Sequence, residues 1–147
     1  MDLSMFIPEE TYSKILKMMP IFCVDFLIKC KDKYLFIKRN QEPLKGVYWV
    51  IGGRLGYRET IQEFAKKTQM REIGRYFPNF KFIGFSNYIF DQLPESRATH
   101  TPSVLYLVEV DEIFEPKFDE THSDFIWTTE LPYELKKQTE FINDYDK

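Results

Sequence analysis

Apolar positions come in short runs along this chain, and their spacing shifts between a helical and a strand-like period. Near the start, Tyr12, Ile15, Leu16 and Met19 recur at intervals of three and four, which places them on one helix face. Pro8 suits the first turn of that helix, and Pro20 stops it. Ile21 to Lys29 and Tyr34 to Lys38 read as strands joined by the polar turn Cys30-Lys31-Asp32-Lys33. Asn40 to Lys45 reads as a loop, and Tyr48 to Ile51 as a short apolar run ending at Gly52-Gly53. Thr60 to Ile73 returns to the helical period, and Gly74 falls at a C-cap position. Phe80 to Phe90 is a long strand, Asp91 to Pro102 a polar loop, Val104 to Val110 and Phe125 to Thr128 further strands, and Leu135 to Tyr145 a closing helix. Strands outnumber helices, and the helix over 60–73 lies between strands, so the pattern predicts a layered α+β or α/β domain.

No repeat, low-complexity stretch or linker divides the chain, and 147 residues suffice for one domain, residues 1–147, with a core of its own. Aromatic residues reach 17%, so that core is expected to rest on buried Phe and Tyr. A net charge of -3 and a pI of about 5.5 argue against a broad nucleic-acid-binding surface and leave room for a local basic pocket. No apolar run approaches the roughly 20 residues needed to cross a bilayer. The N-terminus carries acids early and lacks the basic segment of a signal peptide. The expectation is a cytoplasmic protein with neither nucleic acid nor membrane as partner. A single strand carrying both Cys23 and Cys30 points them to opposite faces, too far apart to bridge. Free thiols suit a reducing cytoplasm, and two lone cysteines make no metal site.

The stretch richest in chemistry is Gly52-Gly53-Arg54-Leu55-Gly56-Tyr57-Arg58-Glu59, followed by the helix ending Arg71-Glu72-Ile73-Gly74. Thr68, Arg71 and Glu72 stand at i, i+3 and i+4, on a shared face. Only Glu72 is an acid, and Arg71 adds a positive charge. Magnesium takes oxygen ligands, keeps several waters and completes its shell with substrate phosphates. One carboxylate, a backbone carbonyl and a diphosphate can hold one ion and make a poor cage for two or three. An ordinary reading stands beside this one: paired glycines before an amphipathic helix are common, and a Glu near a helix end is usually just solvated.

Counted from Gly53, the stretch resembles the signature of the Nudix hydrolases, in which a Gly, a Glu, an Arg-Glu pair, a Glu pair and a Gly recur at fixed spacing. Gly53, Glu59, Glu72 and Gly74 match it; Lys67 is a like-charge replacement for the Arg; Thr68, Arg71 and Arg75 depart. Within that superfamily the chain is similar over nearly its whole length to the GDP-mannose mannosyl hydrolases. Met5-Phe6 through Pro20 looks like their N-terminal helix, and Val24-Asp25-Phe26 like their first strand. Lys38-Arg39-Asn40, Pro43, Gly46, Tyr48-Trp49 and Gly52-Gly53-Arg54 follow their order and spacing. The missing acids at 68 and 71 are themselves like that family.

The resemblance implies an α+β Nudix fold, a mixed sheet sandwiched between helices, and one Mg2+ per site with Gly52, Glu72 and Thr121 as metal ligands. In the frame Asp119-Glu120-Thr121-His122-Ser123-Asp124-Phe125-Ile126-Trp127, the family has a ligating Gln where this chain has Thr121. The Thr hydroxyl, a water or Glu120 are the groups available for that place. His122 matches the family's general base, and an imidazole with an ordinary pKa near 6.5 suits the role; by default, a lone His before a strand is a surface residue. Arg39 matches an arginine that stabilises the departing nucleotide, and Arg54 is placed to face the same phosphates; a guanidinium forks onto two phosphate oxygens better than an ammonium does. Asp25 matches a substrate-site residue, against the alternative of an acid on the solvent face of a strand. Tyr88 is a candidate substrate contact, with Asn87 beside it. Tyr48-Trp49 reads as core or as a buttress beneath the glycines, and Lys67 is expected to pair with Glu63 one turn earlier. His100 and Ser103 stand where the family has other residues, so the sugar contacts are expected to differ.

Ordinary Nudix enzymes direct water at phosphorus. The resemblance implies a different cut, in which water attacks the anomeric carbon of a nucleotide diphosphate-sugar and the diphosphate leaves with inversion, through an oxocarbenium-like state. It also implies a homodimer. Three readings follow: this sugar-releasing hydrolase, a pyrophosphohydrolase cutting between phosphates, and a nucleotide-sugar binder without turnover, favoured by Thr121 and Arg71.

Overall fold

The computed structural model describes residues 6–41, 44–91, 98–118 and 122–137. Its elements run α1 Glu9–Met18, β1 Cys23–Cys30, β2 Lys33–Arg39, β3 Tyr48–Trp49, β4 Ile51–Arg54, α2 Ile61–Ile73, β5 Lys81–Phe90, β6 Thr99–Glu109 and β7 His122–Thr128. The architecture is α+β, a mixed sheet flanked by helices. Among the described residues only β1 and β6 run parallel, and the other pairings are antiparallel.

The arrangement that positions the site is a fork. β1 and β2 pair only near their turn, from Ile28 opposite Leu35 to Cys30 opposite Lys33. Beyond that point they part, and the segment 48–54 enters the gap. Its first half, β3, pairs with β2 at Ile37 and Lys38. Its second half, β4, pairs with β1 from Cys23 opposite Arg54 to Phe26 opposite Ile51. Gly52 explains how the backbones approach so closely. A Cβ there would collide with the Asp25 carboxylate and the Val24 carbonyl.

Alternation along β1 gives two cores. Val24, Phe26, Ile28 and Cys30 face α2 and pack with Phe64, Ala65 and Ile73. Leu27 faces the other way, with Phe36, Trp49, Val50, Leu105 and Leu135. The expected aromatic burial holds for phenylalanine, with Phe26, Phe36 and Phe64 among the largest fully buried side chains, while the tyrosines packed on the cores are only partly buried; Phe26 stacks on Phe64 and Tyr106.

Helix α2 matches its expected bounds. Thr60 caps it, its hydroxyl accepting from the Glu63 N–H, and Gly74 ends it in the left-handed region at φ 72. Other expectations shift. The polar loop expected over Asp91 to Pro102 gives way by Thr99, where β6 begins; the backbone of Pro102 lies opposite Asn87 in the β5–β6 ladder. Polar alternation hid this, because Thr99, Thr101 and Ser103 take the strand positions that line a cavity. β7 begins three residues earlier than expected, at His122. A helical segment covers 133–137; the remaining positions of the closing helix expected over Leu135 to Tyr145 lie outside the described residues. Cys23 and Cys30 are both free. Among the described residues no helix is long and apolar enough to cross a membrane.

Candidate active site

The face of β1 that carries Cys23 shows how local pattern makes a site. Cys23, Asp25 and Leu27 alternate with the α2-facing row, so Asp25 points toward the second core and not toward solvent, as a strand acid ordinarily would. Asp25 enters a cavity of about 250 Å³ with Cys23, Arg39, Arg54, Tyr88 and Ser103. Burial raises its pKa to about 7; the Glu72 carboxylate adds to the rise and Arg39 opposes it. Burial likewise raises the Cys23 thiol to about 12, with help from Asp25, which keeps the thiol protonated and unreactive. Burial pushes the Tyr88 phenol upward too.

Asp25 therefore makes stability depend on pH. An acid whose folded-state pKa lies above its unfolded value of about 4 holds more protons in the folded chain across that interval, so stability falls as pH rises from about 4 to about 7. Without metal, in EDTA, the native chain should lose more thermal stability between pH 5 and pH 8 than Asp25→Asn does. Equal losses in melting scans of the two proteins would show that Asp25 ionises as an exposed carboxyl does.

A second cavity, of about 330 Å³, adjoins the first and shares Arg39, Gly52 and Gly53 with it; Gln41, Arg71, Glu72 and His122 complete its lining. Glu72 is buried, and its Oε2 accepts the Gly52 N–H at 3.0 Å. Its other oxygen, Oε1, lies 3.6 Å from an Arg71 guanidinium nitrogen and 3.9 Å from His122 Nε2. A β-bulge brings His122 here. Lys38 pairs with Asp124 but Arg39 pairs with His122, so Ser123 is an extra residue in β7. Without it His122 would slide past the end of β2; with it, Arg39 and His122 sit opposite each other on adjoining strands and line one cavity. Tyr48 secures the same strand start, its hydroxyl donating to Asp124 Oδ2 at 2.7 Å. That bond holds the Asp124 carboxyl below its usual range.

The structure thus brings together Asp25, Arg39, Arg54, Tyr88 and Gly52 in the first cavity and Arg39, Gly52, Glu72 and His122 in the second. The expected surface placement of a lone His does not hold, because His122 is 6% exposed. Thr121 and Glu120, proposed around the metal, lie outside the described residues. Asn87 is exposed and bonded to His100, and neither lines these cavities. Trp49 is buried in the second core, the first of its two expected readings. Lys67 pairs with Glu59, not Glu63: its ammonium lies 2.7 Å from Glu59 Oε2, while Glu59 Oε1 accepts the Gly56 N–H. The loop before α2 folds back far enough to outcompete the helical neighbour, and the first acid of the motif becomes a loop fastener. Sequence reading missed Tyr12, Leu16 and Gln41. Tyr12 and Leu16 lie on the apolar face of α1, which reads as core packing; here they line the first cavity, and the Arg54 guanidinium sits 5.3 Å from the Tyr12 ring centroid.

Whether these residues fit a metal can be judged from the donors. Among the described residues no three His, Cys, Asp or Glu side chains converge on one point. Glu72 Oε1 is the one carboxylate oxygen that the second cavity's described lining offers beyond the Gly52 N–H bond. Thr68, one turn earlier, is fully buried with its hydroxyl lacking a hydrogen-bond partner among the described groups, and it brings no charge. This donor set fits a single Mg2+ that keeps waters and takes substrate oxygens, and does not fit a cluster of ions.

No family model matches the chain. Solved structures do. A MutT NUDIX hydrolase from Burkholderia pseudomallei superposes with a TM-score of 0.65 at 20% identity, over 78% of this chain and 88% of that one. A MutT protein from Methanosarcina mazei Go1 gives 0.66 at 20% identity, over 87% and 96%. The NUDIX domain of Shewanella oneidensis NrtR, solved with ADP ribose, gives 0.61 at 13% identity, over 82% of each chain. The chain has the Nudix fold.

Proposed function

We propose that this chain is a Nudix hydrolase that uses one divalent ion, Mg2+ by the resemblance, to split a nucleoside diphosphate-sugar, GDP-mannose-like, into nucleoside diphosphate and free sugar. The observation that supports it is the second cavity: two guanidiniums, a histidine and a single carboxylate converge there, beside a chamber lined by hydroxyls, an acid and aromatic rings. Such a site favours charge leaving on a diphosphate over the multi-ion chemistry of attack at phosphorus. In the proposed reaction a water oxygen bonds to the anomeric carbon, the bond from that carbon to the phosphate oxygen breaks, and the diphosphate departs with the electron pair. His122 takes the proton from water. Arg39 and Arg54 meet the charge that grows on the leaving oxygens. Asp25 and Tyr88 contact the substrate from the first cavity. A divalent ion at Glu72, with Gly52 and Thr121 completing its protein ligands, would supply further positive charge to the diphosphate. A homodimer belongs to the same proposal, supported by Phe82, Phe85 and Ile89 exposed along β5.

Incubation of GDP-mannose and related nucleotide sugars with Mg2+, followed by product identification, tests the reading. GDP and free sugar are expected. GMP and sugar phosphate would instead establish cleavage at phosphorus, the second reading, with which the Nudix fold is equally consistent. Binding without turnover would leave a nucleotide-sugar binder.

Arg39 gives a kinetic test of where the charge develops. Lining both cavities, it sits at their junction. Arg39→Gln should lower kcat more than it raises KM, by about tenfold or more, because the leaving group is most negative in the transition state. A rise in KM alone would reduce Arg39 to a ground-state binding group.

A further inference from the structure

We infer that Tyr12 is a positioning residue, whose ring face holds the Arg54 guanidinium in place for the phosphates of a ligand; the inference rests on the reading of Arg54 as a phosphate-facing group. Arg54 has a fixed root and a flexible reach. Its backbone is held in β4 opposite Cys23 of β1, and the next N–H, of Leu55, donates to the Phe22 carbonyl at 3.0 Å. Beyond that root an arginine side chain is rich in rotamers, and ordering it only when a ligand arrives weakens binding.

Tyr12 supplies an ordering surface beforehand. Its ring centroid lies 5.3 Å from the Arg54 guanidinium carbon, inside the range of roughly 6 Å over which a ring face attracts a cation. Both residues line the first cavity. An aromatic face holds a cation without neutralising it, as a carboxylate would, so this contact leaves the positive charge available to phosphate oxygens.

The setting of α1 points the same way. None of its residues is buried, and neither core cluster includes one. Tyr12 and Leu16, one turn apart, line the cavity instead. The chain is anchored just past the helix, where buried Ile21 donates its N–H to the His100 carbonyl at 2.8 Å. A helix so placed is a wall of the site more than a support of the fold. If Tyr12 were there only to cover apolar surface, any apolar side chain would serve, and nothing would tie its effect to Arg54.

A double-mutant cycle on GDP affinity tests this, by calorimetry on the full chain with Mg2+. Tyr12→Leu keeps an apolar side chain and removes the ring. It should weaken GDP binding about two- to thirtyfold, the span a cation–π contact supplies, at a near-native melting temperature. Tyr12→Phe, which keeps the ring, should restore most of that affinity. In the Arg54→Gln background, Tyr12→Leu should change GDP affinity by less than about twofold, because no cation remains to be held. Equal losses from Tyr12→Leu in both backgrounds, or a Tyr12→Phe protein as weak as Tyr12→Leu, overturns the inference. If the native chain binds no GDP, the nucleoside diphosphate reading falls and the inference with it. If it binds and Arg54→Gln weakens it without coupling to Tyr12, only the role of Tyr12 falls.

Discussion

His122→Gln should turn over its substrate about a hundred- to ten-thousandfold more slowly than the native chain, the range a general base supplies. The acidic limb of the pH–rate profile should vanish with it, because protonation of the imidazole is what removes the base at low pH. Two other groups compete for that limb. His100 is bonded to Asn87 and lines neither cavity, so His100→Gln should keep the native profile. Asp25, raised to about 7 mainly by burial, titrates in the same window and lies in the neighbouring chamber. Asp25→Asn should therefore weaken activity while leaving an acidic limb behind. A limb that survives in His122→Gln and disappears in Asp25→Asn would transfer the base role to the carboxylate. Asp124 is a poor rival, since its hydrogen bond from Tyr48 holds its pKa down. Profiles of kcat against pH for these variants settle the assignment.

The second large effect belongs to Glu72. Glu72→Gln keeps the shape and the capacity to accept the Gly52 N–H, and removes the only negative charge in the described lining of the second cavity. Activity should fall by at least about a hundredfold, and the Mg2+ concentration giving half-maximal rate should rise, while the fold stays intact. Folding is expected to survive, because an amide in this place removes a buried charge near Asp25; burial, the larger cause of the raised Asp25 pKa, is unaffected. Near-native turnover at low Mg2+ would remove Glu72 from the metal site. Melting curves separate either result from simple unfolding.

How far the sequence carried the reading depends on which residues signal locally. Helix α2 was legible because Thr60, the helical period and Gly74 each mark it independently. The strand at Thr99 was not, because its polar residues Thr99, Thr101 and Ser103 line a cavity and in the sequence mimic a loop. The site residues Arg39, Glu72 and His122 could be proposed by resemblance, yet their meeting depends on a one-residue bulge at Ser123 that no local pattern announces. The Lys67 pairing failed for a similar reason: helical spacing offers Glu63, and only the folded loop brings Glu59 closer. Tyr12 and Leu16 were read by their apolar period and could not be known to overlie a cavity until α1 was placed.

The shared wall between the two chambers has a practical consequence. At about 250 and 330 Å³, each is near the lower limit, about 300 Å³, of pockets that hold a whole ligand. Fragments filling one chamber alone would bind weakly. Arg39, Gly52 and Gly53 border both, so two such fragments would lie within a short tether of each other. Joining them converts the second binding event into an intramolecular one, at an effective concentration of about the millimolar range for a short flexible link and higher for a rigid link of matching length. Ligands for this protein are therefore best built by linking, with a neutral aromatic or hydroxylated head for the Tyr88 side and an anionic tail for the Arg39–Arg71 side.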